Sequence, residues 1–236
     1  MKRYLCLTAL AVICASAVLH ADVLQFGSYA TGDPSQGNQN TAMAFIPGMS
    51  TPDPGVVYNT NSVAVAPGLW HAPLTNTTWI SFGQTGPTTL PGSQPGGHFA
   101  PNGDYWFTTT FTLPSQATAF SFSVLADDTT VVYLDGFGSG NLLVKAAPGG
   151  NAICQNNLPN CLNVDTVTDA DIPGALMLLT PGTHTLTFDV QQLASFDLGL
   201  DWSATVTTPV PEPGSLFLLG TGLIGGAGAL YRKIRA

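Results

Sequence analysis

The feature that most constrains this chain's fold is a two-residue alternation that returns in several short segments. Tyr105, Phe107, Thr109, Phe111 and Leu113 fall on one side, and Trp106, Thr108, Thr110 and Thr112 on the other. A strand sends successive side chains to opposite faces, so the pattern predicts an extended segment with one face on a core. Phe120, Phe122 and Val124 repeat it, as do Leu186, Phe188 and Val190, then Leu198, Leu200, Trp202, Ala204 and Val206. Further strands are expected at 23–26, 56–58, 62–66, 78–82, 129–134 and 141–146, where β-branched and aromatic residues collect between Gly, Pro, Asn and Asp turns. Residues 102–134, turning at Pro114, read as an antiparallel meander that continues through an Asp135-Gly136 hairpin. The apolar run 175–179 has no assigned type. Six or more strands with no helix between them predict an all-β chain, an antiparallel, jelly-roll-like β-sandwich.

Both ends stand apart from that sandwich. Lys2 and Arg3 precede an apolar run from Leu5 to Leu19, and small residues lead to Ala21. This is the layout of a secretory signal peptide, so residues 1–21 are expected to leave on export. Residues 22–208 remain for the sandwich, enough for a real core. In the tail, 209–236, Pro211 and Pro213 fix φ on either side of Glu212. An uncharged run of 15 residues, Leu216 to Leu230, then ends at the basic cluster Arg232, Lys233 and Arg235. That order predicts a transmembrane helix over 215–231 with its basic end on the cytoplasmic side. The run is short against the roughly 20 residues that cross a typical bilayer core. Gly220, Gly222 and Gly225 spell GxGxxG by accident, since no strand precedes them to build a dinucleotide site.

With Val210, Pro211, Glu212 and Pro213 ahead of a short apolar helix and a terminal basic cluster, the tail resembles the PEP-CTERM sorting signal. The resemblance covers 27 of the 236 residues. It implies export in a Gram-negative-type bacterium and a transient stay in the inner membrane. It further implies recognition by an exosortase, and a final place at the cell surface or in an extracellular matrix with exopolysaccharide or biofilm. From Phe111 to Val190 the body resembles galactose-binding-like jelly rolls, through Ala126-Asp127-Asp128, Val132-Tyr133-Leu134-Asp135-Gly136 and Pro181-Gly182-Thr183-His184. Asp135 departs from the asparagine common there, and the cysteine loop is an insertion. This second resemblance implies fold more than sugar specificity.

Charge removes whole classes of function. Five of the six basic residues lie in the two ends, which leaves the body 13 aspartates against Lys145 alone. A nucleic-acid footprint is basic, so no nucleic-acid partner is expected. The body's two cysteines, Cys154 and Cys161, lie in a turn-rich loop of an exported chain, the setting of a disulfide. No GxSxG elbow is present, and His71, His98 and His184 have no marked partners. No catalytic residues are therefore assigned, and the chain is not read as an enzyme.

Two constellations are left as candidate sites. Asp127, Asp128 and Asp135 bracket one strand and form a candidate calcium site, calcium being the one cofactor the sequence suggests. An adjacent Asp-Asp pair on a ligand-facing loop resembles lectin-like sandwiches of the anthrax protective-antigen type. Asp165, Asp169 and Asp171 form a second acidic cluster. Trp70, Trp79 and Trp106 are candidates for a ligand face, Trp106 because it lies on the polar side of its strand, whereas Trp202 has core parity. The readings carried forward are an exported surface or matrix protein, a calcium-dependent carbohydrate-binding module or adhesin, and an enzyme whose site the sequence does not mark.

Overall fold

A computed structural model describes residues 21–33, 41–45, 59–63, 65, 68–81, 100, 102–147, 157–172, 174–193, 197–209 and 215–235. The chain divides into two compact units, Val23–Thr208 and the two ends, Met1–Asp22 with Pro209–Ala236.

The larger unit is built from antiparallel sheets in a sandwich. One sheet holds β2 (Ala42–Phe45), β5 (Gly103–Leu113), β10 (Gly182–Gln192), β7 (Thr129–Leu134) and β8 (Leu142–Val144), in that order. The other runs β3 (Asn61–Ser62), β4 (Ile80–Ser81), β11 (Gly199–Pro209), β6 (Ala119–Asp127) and β9 (Asp165–Thr168), with β1 (Ala21–Gly27) also on β11. A short helix, α1 (Ala175–Leu178), occupies the run the sequence left unassigned. The strands expected at 78–82 and 62–66 shrink to two residues each, and 56–58 lies outside the described residues.

The expected meander is corrected. β5 pairs with β10 along all of its length, from Gly103↔Gln192 to Leu113↔Gly182, and β6 pairs instead with β11 in the opposite sheet. Alternation fixes which face of a strand is buried but says nothing about its neighbour. Only the β7–β8 step is a local pairing as expected. Asp135 (φ 58°) and Gly136 (φ 131°) turn the chain there in left-handed conformations those residue types tolerate.

The core lies between the inner faces, where the alternating residues predicted from sequence meet. Tyr105, Phe107, Phe111, Leu186, Phe188 and Val190 face Phe120, Phe122, Val124, Leu200, Trp202 and Val206. At its centre the Phe122 ring lies 6.0 Å from Phe188 and 6.1 Å from Trp202, and Phe188 and Trp202 are 5.3 Å apart. Each such ring stabilises the fold by about 1.5–3 kcal/mol relative to exposure.

The tail forms the helix the sequence predicts, α2 (Ser215–Arg235), which ends on Arg232, Lys233 and Arg235. Among the described residues no helix is long and apolar enough to cross a membrane. The apolar run Leu216 to Leu230 is short, and a longer stretch of the helix takes in Ser215, Tyr231 and Arg232. Residues 1–20 and the motif residues Val210, Pro211, Glu212 and Pro213 lie outside the described residues.

Candidate functional site

The outer faces of the two sheets carry the candidate side chains, and they differ. On the β11–β6 sheet, Leu125, Asp127, Gly199 and Asp201 point away from the main core, because their neighbours Val124, Ala126, Leu200 and Trp202 point into it. Trp70 and Trp79 lie over this outer face and close a second apolar cluster with Val63, Leu125 and Cys161. Their rings are 4.3 Å apart, and Gly199 supplies the space beneath them. The ligand-face assignment for these two is therefore corrected. Trp79 is 0 % exposed and Trp70 4 %, so neither presents a ring to a ligand.

Two buried carboxylates hold that cover in place. Asp127 Oδ2 accepts from the Trp70 indole Nε1 at 2.7 Å. Asp201 accepts from Ser28 Oγ (2.7 Å) and from the Leu74 backbone N–H (2.8 Å), which ties β1 and the loop over the sheet to β11. Burial, and then the Asp128 charge, hold the Asp127 carboxyl well above the usual carboxylate range. Burial also raises Asp201, against the hydrogen bonds from Thr77, Leu74 and Ser28. Desolvation penalises the charged form, which is why both shifts are upward.

The three-aspartate calcium site is corrected in its membership. Asp128, also buried, accepts from the Leu193 N–H at 2.7 Å and stays beside Asp127. Asp135 lies beyond the other end of β7, which at 3.3 Å per residue is about 20 Å away. There its Oδ2 is 2.7 Å from His184 Nδ1 and its Oδ1 accepts from the Thr185 N–H at 2.8 Å. His184 Nε2 is 2.7 Å from the Thr180 carbonyl oxygen, so this pair stitches β10 to the β7–β8 turn. Among the described residues no group of three or more His, Cys, Asp or Glu side chains is placed to hold a metal ion. The second acidic cluster serves backbone: Asp171 Oδ2 accepts from Thr168 N (2.9 Å) and Oγ1 (2.7 Å), and Asp169 Oδ1 from Phe120 N (3.2 Å).

The β5–β10–β7 sheet presents the opposite picture. Trp106, half-buried, stands on its outer face, in register with Asp189 of β10. Phe137, 61 % exposed, folds back from the β7–β8 turn with its ring 5.1 Å from Trp106 and 5.3 Å from Tyr133. Beside them burial, and then the Asp104 carboxylate, push Asp189 up to about 6. A hydrogen bond from the Trp106 side chain works against that rise. Of this group the sequence singled out Trp106 alone. Phe137 had a signal, a large aromatic between Gly136 and Gly138 in a turn, where no core could use it. Tyr133 and Asp189 had none, since only pairing through β10 brings them to Trp106.

Cys161 is 1 % exposed within the covered cluster, and Cys154 lies outside the described residues. In the tail, Arg232 and Lys233 are exposed.

Comparison with known proteins gives one motif and two remote likenesses of shape. The PEP-CTERM protein-sorting motif matches residues 209–233. The K1 cleaved adhesin domain of Lys-gingipain from Porphyromonas gingivalis W83 is 14 % identical, with 83 % of this chain and 100 % of that one covered, at a TM-score of 0.28. The enzymatically active domain of tailspike protein 4 from bacteriophage CBA120 is also 14 % identical, with a TM-score of 0.26. That match covers 80 % of this chain and only 19 % of the tailspike's length. No curated protein matches the chain.

Proposed function

From a chain that carries the PEP-CTERM motif, and so is exported and sorted by exosortase to the cell envelope or surface, we propose a working protein of the extracellular polysaccharide matrix that acts by binding and not by catalysis. The observation that carries this reading is the motif match over 209–233, which takes in most of the helix Ser215–Arg235 and its basic end. In this reading residues 1–21 are the signal peptide. The tail holds the chain briefly at the inner membrane, and exosortase removes it. The body then keeps Lys145 as its one basic side chain against 13 aspartates, a charge that keeps it soluble among neutral polymers. Oxidation outside the cell pairs Cys161 with Cys154 and closes the loop between them.

The deciding experiment replaces Pro211, Glu212 and Pro213 together by alanine and follows the protein by cell fractionation. Accumulation of an unprocessed, membrane-held form is expected. Release of the variant at the wild-type rate would refute exosortase handling.

A second reading, calcium-dependent glycan binding, is favoured by one observation. Asp127 and Asp128 adjoin with Asp197 near them; burial first, and then these neighbouring carboxylates, disfavour the ionised form of Asp127, and a divalent cation would offset both. Calcium takes six to eight oxygens, so backbone carbonyls and water would complete the shell beside these two carboxylates. A calcium titration followed by thermal melting tests it, and an unchanged Tm at millimolar calcium removes it.

A further inference from the structure

The aromatic row on the β5–β10–β7 sheet has one exposed ring, Phe137, laid over two half-buried ones, Trp106 and Tyr133. Trp106 and Tyr133 sit two strands and two residues apart, about 12 Å at the usual strand dimensions, and the Phe137 ring bridges them at 5.1 and 5.3 Å. Phe137 is held there at 61 % exposure by a turn whose other contacts do not need it: Asp135 is anchored on His184 and Thr185, and Asn141 Nδ2 donates to the Leu134 carbonyl. A large ring left in water on a braced turn is uncommon, and contiguous exposed apolar surface marks interaction sites. Polar groups flank the row. Asp189 is in register with Trp106, and Gln191 with Asp104 one step along the same face. The Asp189 carboxylate and the Trp106 indole stand side by side in the row and hydrogen-bond each other.

We propose that Trp106, Tyr133 and Phe137 form a stacking platform for an uncharged polysaccharide, with Asp189, Asp104 and Gln191 receiving its hydroxyl groups. It rests on the reading of this chain as a matrix protein and names the surface that would do the binding. The chemistry follows from the two kinds of group present. Flat rings suit the apolar faces of pyranose units, and carboxylate and amide oxygens accept from hydroxyl donors. Ligand sites of this kind combine aromatic lining with a few placed polar groups. Charge selects the class of polymer. A body with 13 aspartates and one lysine repels polyanions, and two of those aspartates stand on this face. Asp189 is pushed up to about 6, and it offers a carboxylate acceptor once pH exceeds that value. Binding is therefore expected to weaken as pH falls from 7.5 to 5.

The test is affinity electrophoresis of the full chain in non-ionic detergent through gels containing hydroxyethyl cellulose, a β-1,3-glucan, galactomannan or dextran, with alginate as the anionic control. Retardation by at least one neutral polymer and none by alginate is the expected result. Phe137→Ser and Trp106→Ala are expected to weaken that retardation at least tenfold. Phe137→Ser is the safer variant, because its exposed ring contributes little to folding. No retardation by any of the four, equal retardation by alginate, or retardation that survives both substitutions would overturn the proposal. So would self-association in sedimentation equilibrium that Phe137→Ser abolishes, because the row would then be an interface between copies. The Pro211-Glu212-Pro213 alanine variant serves as the separating control. Its sorting fails while its retardation stays, whereas a failed platform leaves sorting intact.

Discussion

The outer faces of the two sheets use the same residue type to opposite ends. On the β11–β6 sheet two tryptophans are sealed over Gly199 in an apolar cluster, Trp70 donating to the Asp127 carboxylate and Trp79 to the His71 carbonyl. On the β5–β10–β7 sheet one half-buried tryptophan has an exposed phenylalanine leaning on it. A tryptophan's parity on its strand decides which side of the sheet it takes. Whether that side is roofed depends on a loop elsewhere in the chain. Here residues 68–79 roof one face, and the short β7–β8 turn lends the other only Phe137.

The comparison is tested most severely by removing a ring from each face. Trp79→Ala leaves a cavity in a fully buried cluster and is expected to cost about 3–5 kcal/mol. At about 2–4 °C per kcal/mol that lowers Tm by roughly 6–20 °C. Trp106→Ala is expected to cost less, about 1–2 kcal/mol, because its ring is only half-buried. Equal losses in a thermal melt would erase the distinction between roofed and open faces.

Gly199 gives a sharper, smaller test of the roof. A Cβ there would collide with the Trp70 ring and come within 3.1 Å of Trp79 Cε3. Overpacking of this kind costs about 1–3 kcal/mol. Gly199→Ala should therefore destabilise the wild type but cost less in a Trp70→Leu background, because the colliding ring is gone. Strict additivity in that double-mutant cycle would mean the two do not meet.

These two faces also show why the sequence was legible to different depths. The core was readable because alternation is local: Phe107, Phe122, Phe188 and Trp202 are where their parity puts them. Sheet membership was not, because β5, β6 and β7 are consecutive in sequence yet alternate between sheets, and their partners on β10 and β11 arrive roughly 50 to 90 residues later. Asp127, Asp128 and Asp135 looked like one site for the same reason. A strand read as one arm of a hairpin puts its ends near each other's partners, while the actual β7 holds its ends about 20 Å apart. Trp70 lies in a loop and Trp79 at the edge of a strand only two residues long, too short for its parity to be read, so their burial was visible only once Gly199 and Leu125 were placed beneath them. The tail was legible in full as a motif, because a sorting signal is read as a linear string.

The roofed face makes a pH prediction with a definite sign. Asp127 and Asp201 are raised by burial on that face, and Asp189 to about 6 on the other. A carboxyl whose folded pKa exceeds its unfolded value, near 4, binds its proton more readily in the folded state. Its contribution to stability is therefore full below the unfolded pKa and is lost as pH rises through the folded pKa. Melting temperature should rise by several degrees as pH is lowered from about 7.5 to about 5. Asp127→Asn, which imitates the protonated acid and still accepts from Trp70, should flatten that rise and be no less stable than wild type at pH 7.5. A Tm that falls on acidification to pH 5, or an Asp127→Asn variant with the full wild-type slope, would show that the carboxylates are better solvated than their burial implies.

The smallest expected change in stability is the most informative about the open face. Phe137→Ser removes a ring that is 61 % exposed, from a turn held by Asp135 and Asn141. Surface substitutions away from buried networks shift stability by about 0.5 kcal/mol or less, so Tm should move by no more than about 2 °C. Retention on a mildly hydrophobic column should fall clearly, because Phe137 is the most exposed member of the row it shares with Trp106 and Tyr133. A large drop in Tm would mean that Phe137 is itself a roof and that the second face is covered after all. Unchanged Tm with reduced retention leaves the ring with no folding duty. Its place on the braced turn is then explained by what it touches outside the protein.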